Sequence, residues 1–535
     1  MVVSNLTVVH EAWFQQQARV EDLFQRGELQ PVLLHHALLL TIPPFVAAMT
    51  PSHSVPCIRK IRLLAYLWTV AMGFWILRNC RASYFANGFW LGLMVASHAC
   101  RWASLLVFRD VETDFRRIER HTVAGQTTTD RWTFAESSDT REKEHNNKQQ
   151  NRASECNFIK VAHQREREVY QWQGYPRNFW HRVSWIFCLS FSHRGSAWNW
   201  RSKPSPPLPK RLLEQLAKHP DDPVDTGDVP FQPASVFSAL AVVCKAYIRF
   251  RLFKLVAMGD PYFWGEITSD MPIPGTSIAL PATWTLVRGY RTFLCTFAAH
   301  TAMTFVHAIV CFMIILLAYI SPKLSNILLR QPADQDWLYP SLFGPFSAVF
   351  DRGLAGMWGT WWHQYYRFDF LSCSKWVMQF LPQLVVRSRV AHGLVQTVIG
   401  FAVSGLDHGL GSYTAIADTR PLTGTALFYG LHAVGVIVQG LWSTFVAWRL
   451  PFYRRIPPRF LGWANVVVAL GYFHLTAPLM LDDYARCGIW LTELGPLHIQ
   501  WNAMLSGGGA WFDWDSNVVQ VWRGSSWWTS GIRIL

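Results

Sequence analysis

Two histidines stand in settings where an imidazole can do chemistry. The first is His363, in GMWGTWWHQYYRFDF (Gly356 to Phe370), where three tryptophans, two tyrosines and two phenylalanines surround one histidine, one glutamine and one arginine. The second is His408, in GFAVSGLDHGLGSY (Gly400 to Tyr413), where an apolar stretch runs into Ser404 and Gly405 and meets His408 between Asp407 and Gly409. An imidazole with an ordinary pKa of about 6.5 is largely neutral at pH 7 and can take a proton from an alcohol. Glycines beside it let another chain or a ligand approach the backbone. Rings packed around polar groups would exclude water from such a reaction; the plainer reading is an interfacial aromatic belt with an incidental histidine.

Other chemistries are harder to build here. None of the 19 histidines lies three or four positions from another, so the clustered ligands of a membrane di-iron enzyme or an H-E-x-x-H zinc site are missing. No G-x-S-x-G nucleophile elbow occurs, nor any H-x-x-x-D. The ten cysteines are scattered without a C-x-x-C pair and read as small apolar residues, not as a disulfide framework or a metal site. His300 and His307 share a helix face two turns apart, and His432 and His474 each stand alone in an apolar block. For these four the expected role is packing against a neighbouring helix.

The elements that must position His363 and His408 follow from composition. The 535 residues are 50% hydrophobic and only 16% charged, with 28 tryptophans, against about 25% charged in soluble domains. Mean hydropathy is +0.10. Apolar residues fall in blocks: Pro31 to Met49, Leu63 to Leu77, Phe85 to Phe108, Phe293 to Ile320, Ala391 to Leu406, Gly424 to Trp448 and Gly462 to Leu481. A spanning helix needs about 20 apolar residues. Leu63–Leu77 and Ala391–Leu406 are short for that, and Val236 to Met258 is interrupted by Lys245, Arg249, Arg251 and Lys254. The expectation is an all-α, polytopic integral membrane protein with roughly seven to nine helices across a lipid bilayer. No removable signal peptide is evident, so the first span would serve as the insertion signal.

Four regions are expected: N-terminal transmembrane helices over 1–108, a polar, partly disordered cytosolic insert and linker over 109–232, a catalytic membrane domain over 233–481, and a Trp-rich tail over 482–535. Within the insert, Asp139 to Glu155 is polar and apolar-poor, a disordered spacer by composition. The net charge of +14 reads as cytosolic basic loops, not as nucleic-acid binding, because no recognition motif accompanies it. Arg449, Arg454, Arg455 and Arg459 place one link on the cytosolic side, and Arg352, Arg367, Lys375, Arg387 and Arg389 another, with the link Asp407 to Thr423 lumenal. The helix at Phe293–Ile320 has basic flanks on both sides and is expected to be tilted, broken or re-entrant. Asn5-Leu6-Thr7 is a glycosylation sequon, available if the N-terminus is lumenal.

Three stretches carry a family resemblance. LSFSHRGSAWNWRSKP (Leu189 to Pro204) resembles an R-G-x-x-W-N-W segment. Trp337 to Arg367 resembles a P-x-L-F-G … F-W-G-x-x-W-H-Q block, with Met357 where Phe is usual. FAVSGLDHGL (Phe401 to Leu410) resembles an S-G-x-x-H segment. In this order they resemble the fungal and plant wax-synthase-like branch of the membrane-bound O-acyltransferases. The resemblance implies an acyl-CoA-dependent O-acyltransferase with His408 as general base. His363 would stand near the reacting groups, and Gln364, Trp362 and Ser404 would face substrate or oxyanion. No resident cofactor is implied; acetyl-CoA or another acyl-CoA is the co-substrate, with Arg352, Arg367 and Lys375 near its phosphates. The acceptor would be a hydrophobic alcohol, in the fungal group a hydroxyl of a terpenoid or meroterpenoid metabolite, and the location the endoplasmic reticulum. The alternatives are a long-chain wax-ester synthase and, from another class, a transporter with buried histidines; a transporter would be expected to show an internal repeat, and none is found.

Overall fold

A computed structural model describes residue 15 and residues 18–82, 88–124, 132–133, 159–160, 166–217, 232–492, 497–499, 512–514 and 519–534. Asn5 and the stretch Asp139–Glu155 lie outside the described residues. In chain order the elements that matter here begin with helices α1 (Leu34–Met49), α2 (Ile58–Asn79) and α3 (Phe89–Leu106). Strands β1 (Arg117–Ala124) and β2 (Glu166–Gln173) follow, then α4 (Phe179–Phe191), α5 (Val236–Ala257) and α6 (Thr285–Ile320). Next come α7 (Ser347–Gly356), α8 (Arg367–Met378), α9 (Arg389–Thr414), α10 (Pro421–Val446), α11 (Pro458–Thr476) and α12 (Pro478–Arg486). A hairpin of β3 (Val519–Trp522) and β4 (Gly531–Ile534) closes the chain.

Among the described residues, four helices are long and apolar enough to cross a membrane: α2, α6, α9 and α10. The pair α11 and α12, bent by 45°, makes a fifth if it acts as one span. Seven to nine spans are not reached among the described residues. The α1 helix has only 16 residues with Pro43 and Pro44 inside it, and α5 carries the four basic residues noted above. The two blocks judged short are parts of longer helices whose ends carry charge: α2 takes in Arg59, Lys60 and Arg62, and α9 starts at Arg389. Large apolar residues such as Phe74, Phe293, Leu422 and Leu475 point outward, as lipid-facing positions do.

The α6 helix is unbroken over 36 residues, about 54 Å at the usual rise. That exceeds the roughly 30 Å hydrocarbon layer, so the basic flank belongs to the helix itself. Near its start Arg291 makes two 2.8 Å hydrogen bonds to the Asp260 carboxylate and donates to the Ser269 carbonyl. These contacts pin that end beside α5.

Ser388 caps α9, its hydroxyl accepting from the Ala391 N–H at 3.3 Å. The helix then runs to Thr414, so the link expected to begin at Asp407 begins only at Ala415, and His408 lies inside the helix. Crossing with α3 explains why the glycines there do not end it. A Cβ on Gly92 would fall 2.0 Å from the Leu410 carbonyl oxygen, and one on Gly411 would meet Phe89 at 2.9 Å. The Gly92 N–H also donates to Thr414 Oγ1 at 2.9 Å. Glycine thus lets the two backbones touch.

The segment 109–232 is not uniform. β1 and β2 pair antiparallel, and Arg117 on β1 donates to Gln173 Oε1 at 2.8 Å and to the Leu329 carbonyl at 3.0 Å. Beyond the hairpin, Trp185 and Trp198 are fully buried and join Trp102 and Phe368 in one core cluster. The tail docks on the N-terminal region. The Ile534 N–H donates to the Val32 carbonyl at 2.8 Å, Arg533 pairs with Glu21 at 3.0 Å, and the Trp528 ring packs 5.5 Å from Trp75.

Candidate active site

Local sequence explains the loop that bears His363. Helix α7 ends at Gly356, Met357–Trp361 forms a wider π turn, and Trp362 is extended before α8 starts at Arg367. Gln364 is buried and holds this shape: its Nε2 donates to the carbonyls of Trp358 at 3.0 Å and Trp362 at 2.6 Å, while its Oε1 accepts from Arg367 Nη1 at 2.9 Å. Arg367 Nη1 also donates to the Gly359 carbonyl at 2.8 Å. Satisfying carbonyls that a broken helix leaves open is worth about 1–3 kcal/mol each if burial would otherwise orphan them.

On α9, His408 Nδ1 lies 2.9 Å from the carbonyl oxygen of Ser404, one turn back. A carbonyl only accepts, so the contact is a hydrogen bond when Nδ1 carries the proton. In the neutral ring Nε2 is then a free acceptor. The Ser404 hydroxyl donates to the Gly400 carbonyl at 2.9 Å. The His408 ring lies 4.8 Å from that of Tyr429 on α10.

The loop and the helix meet at a cavity of about 610 Å³. His363, His408 and Trp362 all line it, within walls made mostly of apolar and aromatic side chains. Burial, with His408 and Arg194 nearby, pushes His363 down to about 3, so it is neutral at pH 7. Gln364, Ser404, Arg352, Arg367 and Lys375 are not among its lining residues. Arg352 is exposed and donates to Thr360 Oγ1, and Lys375 is exposed on α8.

Among the other polar residues of the cavity are His193, Arg194, His307 and Tyr365, none of which the sequence analysis marks as a site residue. The R-G pair of the first resembling stretch signals Arg194, whereas His307, expected only to pack against a neighbouring helix, lines the cavity. Burial and the Arg101 guanidinium push His193 down to about 3. The other three lone histidines differ. His432 is fully buried, accepting from Trp358 Nε1 at 2.9 Å and bonded to Thr476 Oγ1 at 3.0 Å. His300 stacks on Phe343 at 3.8 Å, and neither it nor His474 lines the cavity.

Residues 339–430 match the model of the membrane bound O-acyl transferase family. The matched stretch includes both the His363 loop and His408. It is a minority of the chain, and it supports membership in that family, whose members are O-acyltransferases that use acyl-CoA and lipid acceptors in a membrane. No curated protein and no solved structure matches the chain. The apolar helices agree with an integral membrane protein.

Proposed function

We propose that the chain is an acyl-CoA-dependent O-acyltransferase of the endoplasmic reticulum, transferring an acetyl group from acetyl-CoA to a hydroxyl of a terpenoid or meroterpenoid alcohol. The observation that carries this reading is that His363 and His408, far apart in sequence, line one largely apolar cavity. His408 Nε2 takes the alcohol proton as the oxygen attacks the thioester carbonyl, a step worth about 10²–10⁴ in rate. The N–H of neutral His363 donates to the developing oxyanion. Collapse expels the coenzyme A thiolate, and the His408 imidazolium returns the proton to it. No covalent acyl-enzyme is needed. The aromatic walls keep water from the thioester. The volume lies within the roughly 300–1,000 Å³ of small-molecule sites. Gln364 shapes the loop instead of meeting substrate, since its amide nitrogen donates to two backbone carbonyls and its amide oxygen accepts from Arg367. Exposed Arg352 and Lys375 stay accessible to the phosphates of coenzyme A.

The test is transfer of label from acetyl-CoA or palmitoyl-CoA to terpenoid and long-chain alcohols by microsomes carrying the full chain. Acetyl transfer to terpenoid alcohols supports the reading. Palmitoyl transfer to long-chain alcohols alone would replace it with wax-ester synthesis, and transfer from neither donor would overturn it.

A further inference from the structure

The Tyr365 hydroxyl lies 3.1 Å from His307 Nδ1, and both residues line the cavity wall. His307 Nε2 lies 3.6 Å from Cys311 Sγ and 3.4 Å from the Pro340 carbonyl oxygen. That oxygen also accepts from Arg194 Nη1 at 3.0 Å, and Arg194 Nη2 donates to Ser205 Oγ at 3.1 Å. The chain of contacts has a direction. A carbonyl cannot donate, so the Pro340 contact is a hydrogen bond only with the proton on Nε2, and in that tautomer the Cys311 sulfur is a second, weak acceptor. In the neutral ring Nδ1 then accepts, and the single proton of Tyr365 is spent on it. Burial holds the phenol above its usual pKa range, which keeps that proton in place. What remains on Tyr365 is an oxygen that can only accept. In a wall this apolar an unused acceptor is costly, and an acceptor selects a ligand that brings a donor.

We infer that Tyr365, oriented by His307, is a hydrogen-bond acceptor that recognises an O–H or amide N–H on an otherwise apolar ligand in the cavity. The inference rests on the proposed acyl transfer for what that donor is. The reacting hydroxyl gives its proton to His408, so the donor at Tyr365 is a different group: a second hydroxyl on the acceptor, or an amide N–H of the pantetheine arm of the acyl donor. The Tyr365 ring is 5.8 Å from that of His363, which puts this recognition beside the reacting groups.

The experiment is equilibrium binding to the purified full chain in lipid nanodiscs, corrected for empty discs, with no transfer required. The probes are 1,4-hexadecanediol, its dimethyl ether as a donor-free control of similar shape, and S-acetylpantetheine. Tyr365→Phe is expected to weaken a donor-bearing probe about fivefold, the size of one net hydrogen bond, and to leave the dimethyl ether unchanged. A loss confined to the diol assigns the donor to the acceptor; a loss confined to S-acetylpantetheine assigns it to the acyl donor; a loss of both means that each uses the same oxygen. His307→Gln, which keeps a side-chain acceptor, is expected to retain the preference of the wild type. Unchanged binding of both donor-bearing probes, or an equal fall for all three, overturns the inference. Failure of acetyl transfer in the microsomal assay alongside a Tyr365-dependent preference would overturn the proposed reaction and leave this site standing.

Discussion

Arg101 Nη2 lies 3.1 Å from Asp369 Oδ2, with both side chains buried. The same nitrogen is 3.1 Å from His193 Nδ1. The pair ties α3, which crosses the His408 helix, to α8, which follows the His363 loop.

Removing one partner leaves the other as an uncompensated buried charge. Arg101→Met is expected to cost about 3–5 kcal/mol, and Arg101→Met with Asp369→Leu clearly less. Thermal unfolding of detergent-purified protein measures both. A double variant as unstable as the single one would show that the pair is not what holds the helices together.

The tautomer of His408 sets a second expectation. His408→Ala should remain folded and lose at least about a hundredfold in turnover, the scale of a missing general base. Ser404→Ala should stay close to wild type, because His408 is held by the main-chain carbonyl of Ser404 and its hydroxyl is turned to Gly400. Near-normal turnover of His408→Ala at equal protein level contradicts the assignment.

His363 differs from the packed histidines in what its loss should do. His363→Ala is expected to impair turnover per molecule strongly. His432→Ala, which breaks contacts to Trp358 and Thr476, and His474→Ala should act mainly on abundance. Assays normalised to folded protein decide this; equal specific-activity losses for all three would remove any special role for the aromatic loop.

Acid sensitivity follows from His363. Its folded value of about 3 lies below the ordinary value of 6.5, so the folded state binds its proton less readily than the unfolded chain. Its contribution to stability is complete above pH 6.5 and is lost as pH falls from there towards 3. His193, also pushed to about 3, adds in the same sense. The melting temperature should drop through this window, and less steeply in His363→Phe. An identical pH slope in the variant would mean that the ring is not buried neutral.

Gln364→Leu should orphan the carbonyls of Trp358 and Trp362. The expected result is a loss of about 1–3 kcal/mol in stability together with a lower kcat, from a loop that no longer presents His363. Wild-type kcat and melting temperature in this variant would show the loop shape to be held by other contacts.

Composition and local motif were enough to read a membrane protein of helices and to single out His363, Trp362 and His408, because hydropathy blocks and aromatic clusters report each residue's surroundings along the chain. They were not enough to count spans, since helix ends carrying Arg59, Lys60 or Arg389 dilute an apolar block without shortening the helix. Nor could they sort the polar residues by direction. Gln364 and Ser404 sit beside the two histidines in sequence, yet their side chains turn to backbone carbonyls. His193, Arg194, His307 and Tyr365 come from three separate stretches and reach the same cavity. The reason is geometric: which face of a helix looks inward depends on where another backbone can approach. Here that is decided by Gly92 against Leu410, by Gly411 against Phe89, and by the Arg101–Asp369 pair, contacts between residues hundreds of positions apart that no local pattern encodes.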